Sequence, residues 1–188
     1  MSSEILSSGP RALIGEDGWL FLENDKNDSV GQYTGQVPLG VGALAQWLAM
    51  LSDLKALGTQ CGFQHVHLIA PSKEAVYDQW YPHRERRSDK RPVDELLRSV
   101  PADAPIIYPS TELRAADRMP VFDKGDTHWN GYGSFIAAHS VLRKLGRPDA
   151  LSFDDYEFPM RLKSGDLDSK LVPQKTEQRI YAEPRSSV

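Results

Sequence analysis

Apolar residues recur at helical spacing in one long run, with Leu44, Trp47, Leu48, Leu51, Leu54 and Leu57 on one face and Gly58 placed to end it. The spacing predicts an amphipathic helix there. Residues 65–70 follow as a short apolar strand stopped by Pro71. Residues 72–82 then read as a helix start running into an aromatic-rich segment. Pro92 suits the first turn of a short helix to Arg98. Residues 105–108 repeat the apolar-strand pattern, and a short helix is expected over 111–117. Val121 and Phe122 lead into the stretch Asp126-Thr127-His128-Trp129-Asn130. A last helix over 131–145 places Phe135, Ile136, Ala138, Val141, Leu142 and Leu145 inside, with Gly146 as its stop. Helices leading into apolar strands predict an α/β domain with a parallel sheet.

The flanks are less regular. Residues 1–12 read as a loose leader, and Gly15 to Leu22 as a turn followed by a short strand. Residues 23–41 read as a long polar loop, and residues 83–91 as a solvated run of mixed charge. Past Pro148 no long periodic run is visible, and residues 172–188 are expected to be a loosely ordered tail. The alternation stops without a closing element, so the sheet is expected to be incomplete at its C-terminal end.

Composition narrows the classes. With 188 residues, 40% hydrophobic and 26% charged, the chain has the balance of one water-soluble domain. A net charge of −4 argues against a general nucleic-acid binder. The one cysteine, Cys61, excludes an intramolecular disulfide framework and a cysteine-rich zinc site. No run approaches the roughly 18 apolar residues of a membrane span. The N-terminal residues as written also lack the basic and apolar regions of an export signal.

The candidate chemistry centres on Asp126 and His128. In an extended segment residues i and i+2 point the same way, so the carboxylate can orient the imidazole, as in a hydrolytic triad. An Asp and a His hydrogen-bonding backbone near a helix start is the plainer alternative. Ser72 follows an apolar strand as hydrolase nucleophiles do, but without a Gly-x-Ser-x-Gly elbow. Its other reading is a helix cap. A metal site built from His65, His67, Asp126 and His128 is disfavoured, because the two pairs belong at opposite ends of their strands. Tyr77, Trp80, Tyr81 and Trp129 are candidates for an aromatic sugar platform, with core packing as the alternative. Lys73 reads either as a ligand for an anionic sugar or acetyl donor, or as a surface lysine.

Asp126-Thr127-His128-Trp129-Asn130-x-x-Gly133 resembles the motif of the SGNH-hydrolase-like domain of the alginate O-acetyltransferase family. Gly15-x-Asp17-Gly18-Trp19-Leu20-Phe21-Leu22 with Gln32-Tyr33-Thr34-Gly35 is similar to the opening of these proteins. So are Pro71 to Tyr77 with Tyr81-Pro82, and Gly165-Asp166-Leu167-x-Ser169-Lys170-Leu171, to later segments. The four motifs stand in matching order across residues 15–171.

The resemblance implies a three-layer α/β/α sandwich over residues 13–171 and acetyl transfer to hydroxyls of an exopolysaccharide. It makes His128 the general base and Asp126 its orienter. Lys73, Tyr77, Trp129 and Asn130 are the residues expected on the substrate side. No metal or cofactor is called for. The expected partners are a polysaccharide acceptor and an acetyl donor delivered by a membrane acyltransferase, in the periplasm or cell envelope. The family's serine nucleophile follows a later strand, and Ser164, Ser169, Ser186 and Ser187 do not match its context. A non-catalytic module that binds polysaccharide or an acyltransferase partner is the competing expectation.

Overall fold

A computed structural model describes residues 9–185. Strands β1 (Arg11–Ile14) and β2 (Leu20–Glu23) form an antiparallel hairpin, followed by α1 (Ser29–Tyr33) and the long helix α2 (Ala43–Cys61). Next come β3 (His67–Leu68), α3 (Lys73–Val76), α4 (Pro92–Ser99), β4 (Ile106–Ile107), α5 (Ser110–Arg114) and α6 (Gly131–Lys144). The chain finishes with β5 (Tyr156–Glu157), β6 (Met160–Lys163), β7 (Glu177–Ile180) and β8 (Glu183–Pro184). Pairing is β3 with β4 in parallel, and β6 with β7 and β5 with β8 antiparallel.

The α/β class is therefore as expected, but the broad parallel sheet is not what forms. Among the described residues β3–β4 is the one parallel pair, and each strand is two residues long. With no third strand beside it, the 65–70 segment stays half-buried along most of its length. The long helix also runs past its predicted stop. Gly58 is inside α2, pressed against the Phe63 carbonyl, and Gly62, in the left-handed conformation with φ 71°, provides the C-cap instead.

Two stretches expected to be loose are ordered. Strand β1 starts at Arg11, inside the expected leader, because its partner β2 carries the core residues Leu20 and Phe21. Strands β7 and β8 lie in the expected tail, and Ile180 of β7 joins the main core. The expected loop over 23–41 contains α1, whose first turn is capped by the Asp28 carboxylate accepting from Gly31 N–H. Residues 1–8, most of the expected leader, and Ser186 and Ser187 lie outside the described residues.

Two apolar clusters hold the chain together. The larger joins Trp19, Phe21, Tyr33, Val76, Tyr81, Leu113, Val121, Phe122, Tyr132 and Ile180. It packs the hairpin, α3, α5, α6 and β7 around the segment 121–122. The smaller joins α2, α4 and β4 through Leu51, Leu96, Ala104 and Ile106. The candidate site stands at the edge of the larger cluster.

Candidate active site

The loop between α5 and α6 is pinned at both ends before it reaches the site. Phe122 and Trp129 form an antiparallel bridge across it, and Asn130 N–H donates to the Val121 carbonyl at 3.1 Å. Between these anchors Asp126 is buried and His128 stands out, its side chain 78% exposed. The residues between them bend; they do not run extended. The Asp126 Oδ1 accepts both the backbone N–H of His128 at 2.9 Å and its ring Nδ1 at 2.8 Å. This is an Asx-type turn, in which a carboxylate captures the N–H two residues on. The expected pairing forms, by a tighter geometry than strand alternation. An Nδ1–H donating to Asp126 leaves Nε2 with the lone pair, and Nε2 has no hydrogen bond among the described residues.

The other oxygen of Asp126 is held from the far end of the chain. Arg179 Nη2 lies 2.6 Å from Asp126 Oδ2, and its Nε donates to Asp123 Oδ2 at 3.2 Å. One planar guanidinium thus bridges two buried carboxylates, a geometry that lysine cannot copy. Burial pushes the Asp126 carboxyl up. The hydrogen bonds from His128 and the Arg179 charge outweigh it and hold the group below the ordinary carboxylate value. Burial likewise works against the Arg179 charge, and the hydrogen bond and charges of the two aspartates more than restore it.

Asp166 completes the ring. Its carboxylate accepts Thr127 N–H at 2.7 Å and the Thr127 hydroxyl at 2.6 Å, and its own N–H reaches Asp126 Oδ2 at 3.3 Å. Leu167 and Asp168 N–H donate to the Gly125 carbonyl, so the 165–168 segment lies directly on the 125–127 backbone. Gly165 is required by that approach, since a Cβ there would collide with the Gly125 carbonyl. Glu177 closes the base by accepting Lys124 N–H at 3.0 Å and Gly125 N–H at 2.6 Å.

The remaining sequence candidates separate. Trp129 stays beside the imidazole, half-buried, with Nε1 donating to the Pro71 carbonyl at 3.2 Å. Asn130 is buried and caps α6. Its Oδ1 accepts Gly133 N–H at 3.0 Å, and its Nδ2 donates to Pro120 O and Asp123 Oδ1. Those bonds commit both ends of the amide internally, which corrects the substrate-side expectation. Lys73 is also buried, and its ammonium donates to the Leu20 carbonyl at 3.0 Å and the Lys124 carbonyl at 2.8 Å. It is neither a surface lysine nor exposed to a ligand. Burial pulls it down to about 8. Tyr77 spends its hydroxyl accepting Val121 N–H at 2.8 Å and packs its ring on Trp19, Trp80 and Phe122. Trp80 stacks on Trp19, and Tyr81 is buried, so the aromatic platform is core apart from Trp129.

Ser164 donates to the Lys175 carbonyl and Ser169 to the Asp166 carbonyl. Ser72 is exposed at the N-cap of α3 without a side-chain cap bond. His67 packs edge-on against Trp47 in the smaller cluster, away from the site. Asp126, His128 and Asp166 do bring three potential ligand atoms within 4.8 Å of one another. The guanidinium already on Asp126 opposes a second cation there.

A carboxylate-oriented histidine whose Nε2 has no hydrogen bond among the described residues has the geometry that general-base chemistry requires. Over residues 12–186 the chain matches the SGNH hydrolase-like domain of acetyltransferase AlgX, and it belongs to that family. It is 26% identical over 167 residues to the probable alginate O-acetylase AlgJ of Pseudomonas putida, covering 84% of this chain and 40% of that protein. The O-acetyltransferase domain of Pseudomonas putida AlgJ superposes with TM-score 0.55 at 21% identity, over 94% of this chain and 66% of that one. Bacillus cereus PatB1 superposes with TM-score 0.63 at 17% identity, over 95% and 60%. The chain thus spans about 40% of the curated relative it matches. At these identities the superpositions establish a shared fold.

Proposed function

We propose that Asp126 and His128 are the orienter and general base of a polysaccharide O-acetyltransferase of this family. The observation that carries the proposal is the 2.8 Å Asp126–His128 contact at Nδ1, with Nε2 exposed on the outer side. In the proposed cycle Nε2 takes the proton of a serine hydroxyl, the serine oxygen attacks the acetyl carbonyl, and Nε2 gives that proton to the donor's departing group as its bond to the acetyl carbon breaks. Nε2, again with its lone pair, then takes the proton of a sugar hydroxyl, which attacks the acyl-serine and leaves with the acetyl group, and the proton returns to the serine oxygen. Asp126 stabilises the imidazolium in both steps, and Arg179 keeps Asp126 ionised. The serine is taken to lie outside residues 9–185, the acceptor to be an exopolysaccharide hydroxyl, and the setting to be the cell envelope. A membrane acyltransferase would deliver the acetyl donor. No helix among the described residues is long and apolar enough to cross a membrane.

A second reading also has an observation behind it. Among the described residues the imidazole's hydrogen-bond partners are Asp126 and Thr127, and neither is a nucleophile serine. That favours a module that binds glycan or an acyltransferase without reacting. The two readings part on His128→Ala, made in the intact protein from its own cells. Loss of acetyl groups appearing on the glycan, with glycan binding retained, supports the transferase. Binding without any acetyl transfer by the unsubstituted protein supports the module.

A further inference from the structure

The peptide joining Lys124 to Gly125 lies immediately before Asp126, and charged side chains from distant segments hold it at both ends. Its carbonyl accepts the Lys73 ammonium at 2.8 Å and the Leu20 N–H at 3.0 Å. Its N–H donates to Glu177 Oε1 at 2.6 Å, while Oε2 of the same carboxylate accepts the Lys124 N–H at 3.0 Å. The ammonium also donates to the Leu20 carbonyl at 3.0 Å, so it ties β2 to the loop. The cation takes the peptide oxygen and the anion the N–H, which matches the peptide dipole. Hydrogen bonds to an ionised partner are roughly twice as strong as neutral ones. The next carbonyl, that of Gly125, is fixed by Leu167 and Asp168 N–H. Asp126 therefore enters the site from a backbone that is anchored on both sides.

Both charged groups are more specific than packing requires. Glu177 offers two carboxylate oxygens to two successive N–H groups, and a glutamine of the same volume has one oxygen to offer. Lys73 is buried, with its ammonium 5.3 Å from the centre of the Trp19 ring. The charged groups facing it are Glu177 of β7, Asp126 and Asp123 of the loop, and Asp166 after β6, with the Lys124 ammonium 5.7 Å from the same Trp19 ring. Burial outweighs the four carboxylates and brings Lys73 down to about 8, so its charge costs the fold stability at pH 7. A buried charge kept at such a cost is expected where position matters more than stability.

We propose that Lys73 and Glu177 are positioning residues that clamp the 124–125 peptide and thereby set the Asp126–His128 geometry. Neither side chain touches the imidazole; both act through the backbone that carries Asp126. Their effect on turnover rests on the reading of His128 as the general base. Their effect on the imidazole does not depend on that reading and is measured without turnover.

The His128 imidazole nitrogen shifts of the intact protein, measured beside its p-nitrophenyl acetate kinetics, test the clamp. Glu177→Gln should lower the share of the Nδ1–H tautomer and reduce kcat about tenfold or more, with KM changed less than about twofold. Lys73→Met should do the same. In the wild type the His128 shifts should change as Lys73 loses its proton, with the same midpoint, near pH 8, as the Lys73 Cε resonance. Lys73→Met should lack that step. The wild-type titration decides the matter even where a variant does not fold. Wild-type shifts and kcat in both folded variants, a lowered Tm with the His128 shifts unchanged, or shifts that stay flat through the Lys73 midpoint would overturn the proposal. A wild type without esterase turnover would count against the transferase reading, and the shifts decide the clamp in that case too.

Discussion

Arg179 and His128 hold Asp126 from its two oxygens, at 2.6 Å and 2.8 Å, although one residue lies in a β-hairpin near the end of the described chain and the other in a loop before α6. The carboxylate is therefore fixed in orientation and in charge by groups 51 residues apart in sequence. The imidazole receives its geometry from that anchored oxygen.

Replacing Asp126 by Asn puts an amide where the Nδ1–H acceptor stands. The expected result is loss of the single Nδ1–H tautomer of His128, read from the imidazole nitrogen shifts in NMR. Triad enzymes with this change fall by roughly 10⁴ in kcat. An unchanged tautomer in Asp126→Asn contradicts the assigned role.

Arg179→Met leaves Asp123 and Asp126 buried without their shared cation. A broken buried pair costs about 3–5 kcal/mol; partial exposure of Arg179 places the expected loss near the lower end, about 3 kcal/mol at pH 7. The Asp126 carboxyl is held below 3.8 in the folded chain. Its contribution is therefore full above that value and lost as pH falls through the folded value. Urea unfolding at pH 7 and pH 2.5 should show the gap between wild type and variant closing at the lower pH. A gap independent of pH argues against the ion pair.

Lys73 gives the opposite end of the pH scale. Burial lowers it from 10.5 to about 8, so the folded chain sheds this proton before the unfolded chain does. Stability contributed by the group is present above 10.5 and lost as pH falls through about 8. Relative to Lys73→Met, wild type should gain about 2 kcal/mol between pH 7 and pH 9.5. Parallel curves for the two proteins mean that the ammonium is not buried as described.

Local patterns were readable where a residue and its neighbours decide the outcome. The capped helix α6, the Pro-led helix α4 and the Asp126–His128 pair follow from spacing and capping over a few positions. What escaped depends on distant segments. Arg179 sits in a stretch without periodicity, and only the β6–β7 hairpin brings it to Asp126. Lys73 looks like a surface residue until the β1–β2 hairpin covers it and supplies the Leu20 carbonyl. Asn130 carries the signature of an N-cap in its spacing to Gly133, and that signal was available in the sequence. The two-residue strands of the parallel pair were overestimated because an apolar run marks a strand without saying how many neighbours it has.

The most direct test of the central claim is turnover of p-nitrophenyl acetate by the intact protein isolated from its own cells, compared with the same protein carrying His128→Ala. A general base at His128 predicts a loss of about 10²-fold or more in kcat, with the thermal midpoint unchanged because the imidazole is exposed. Equal turnover by the two proteins, or none by the wild type, would contradict the assignment of His128 as the base of an acetyl-transfer site.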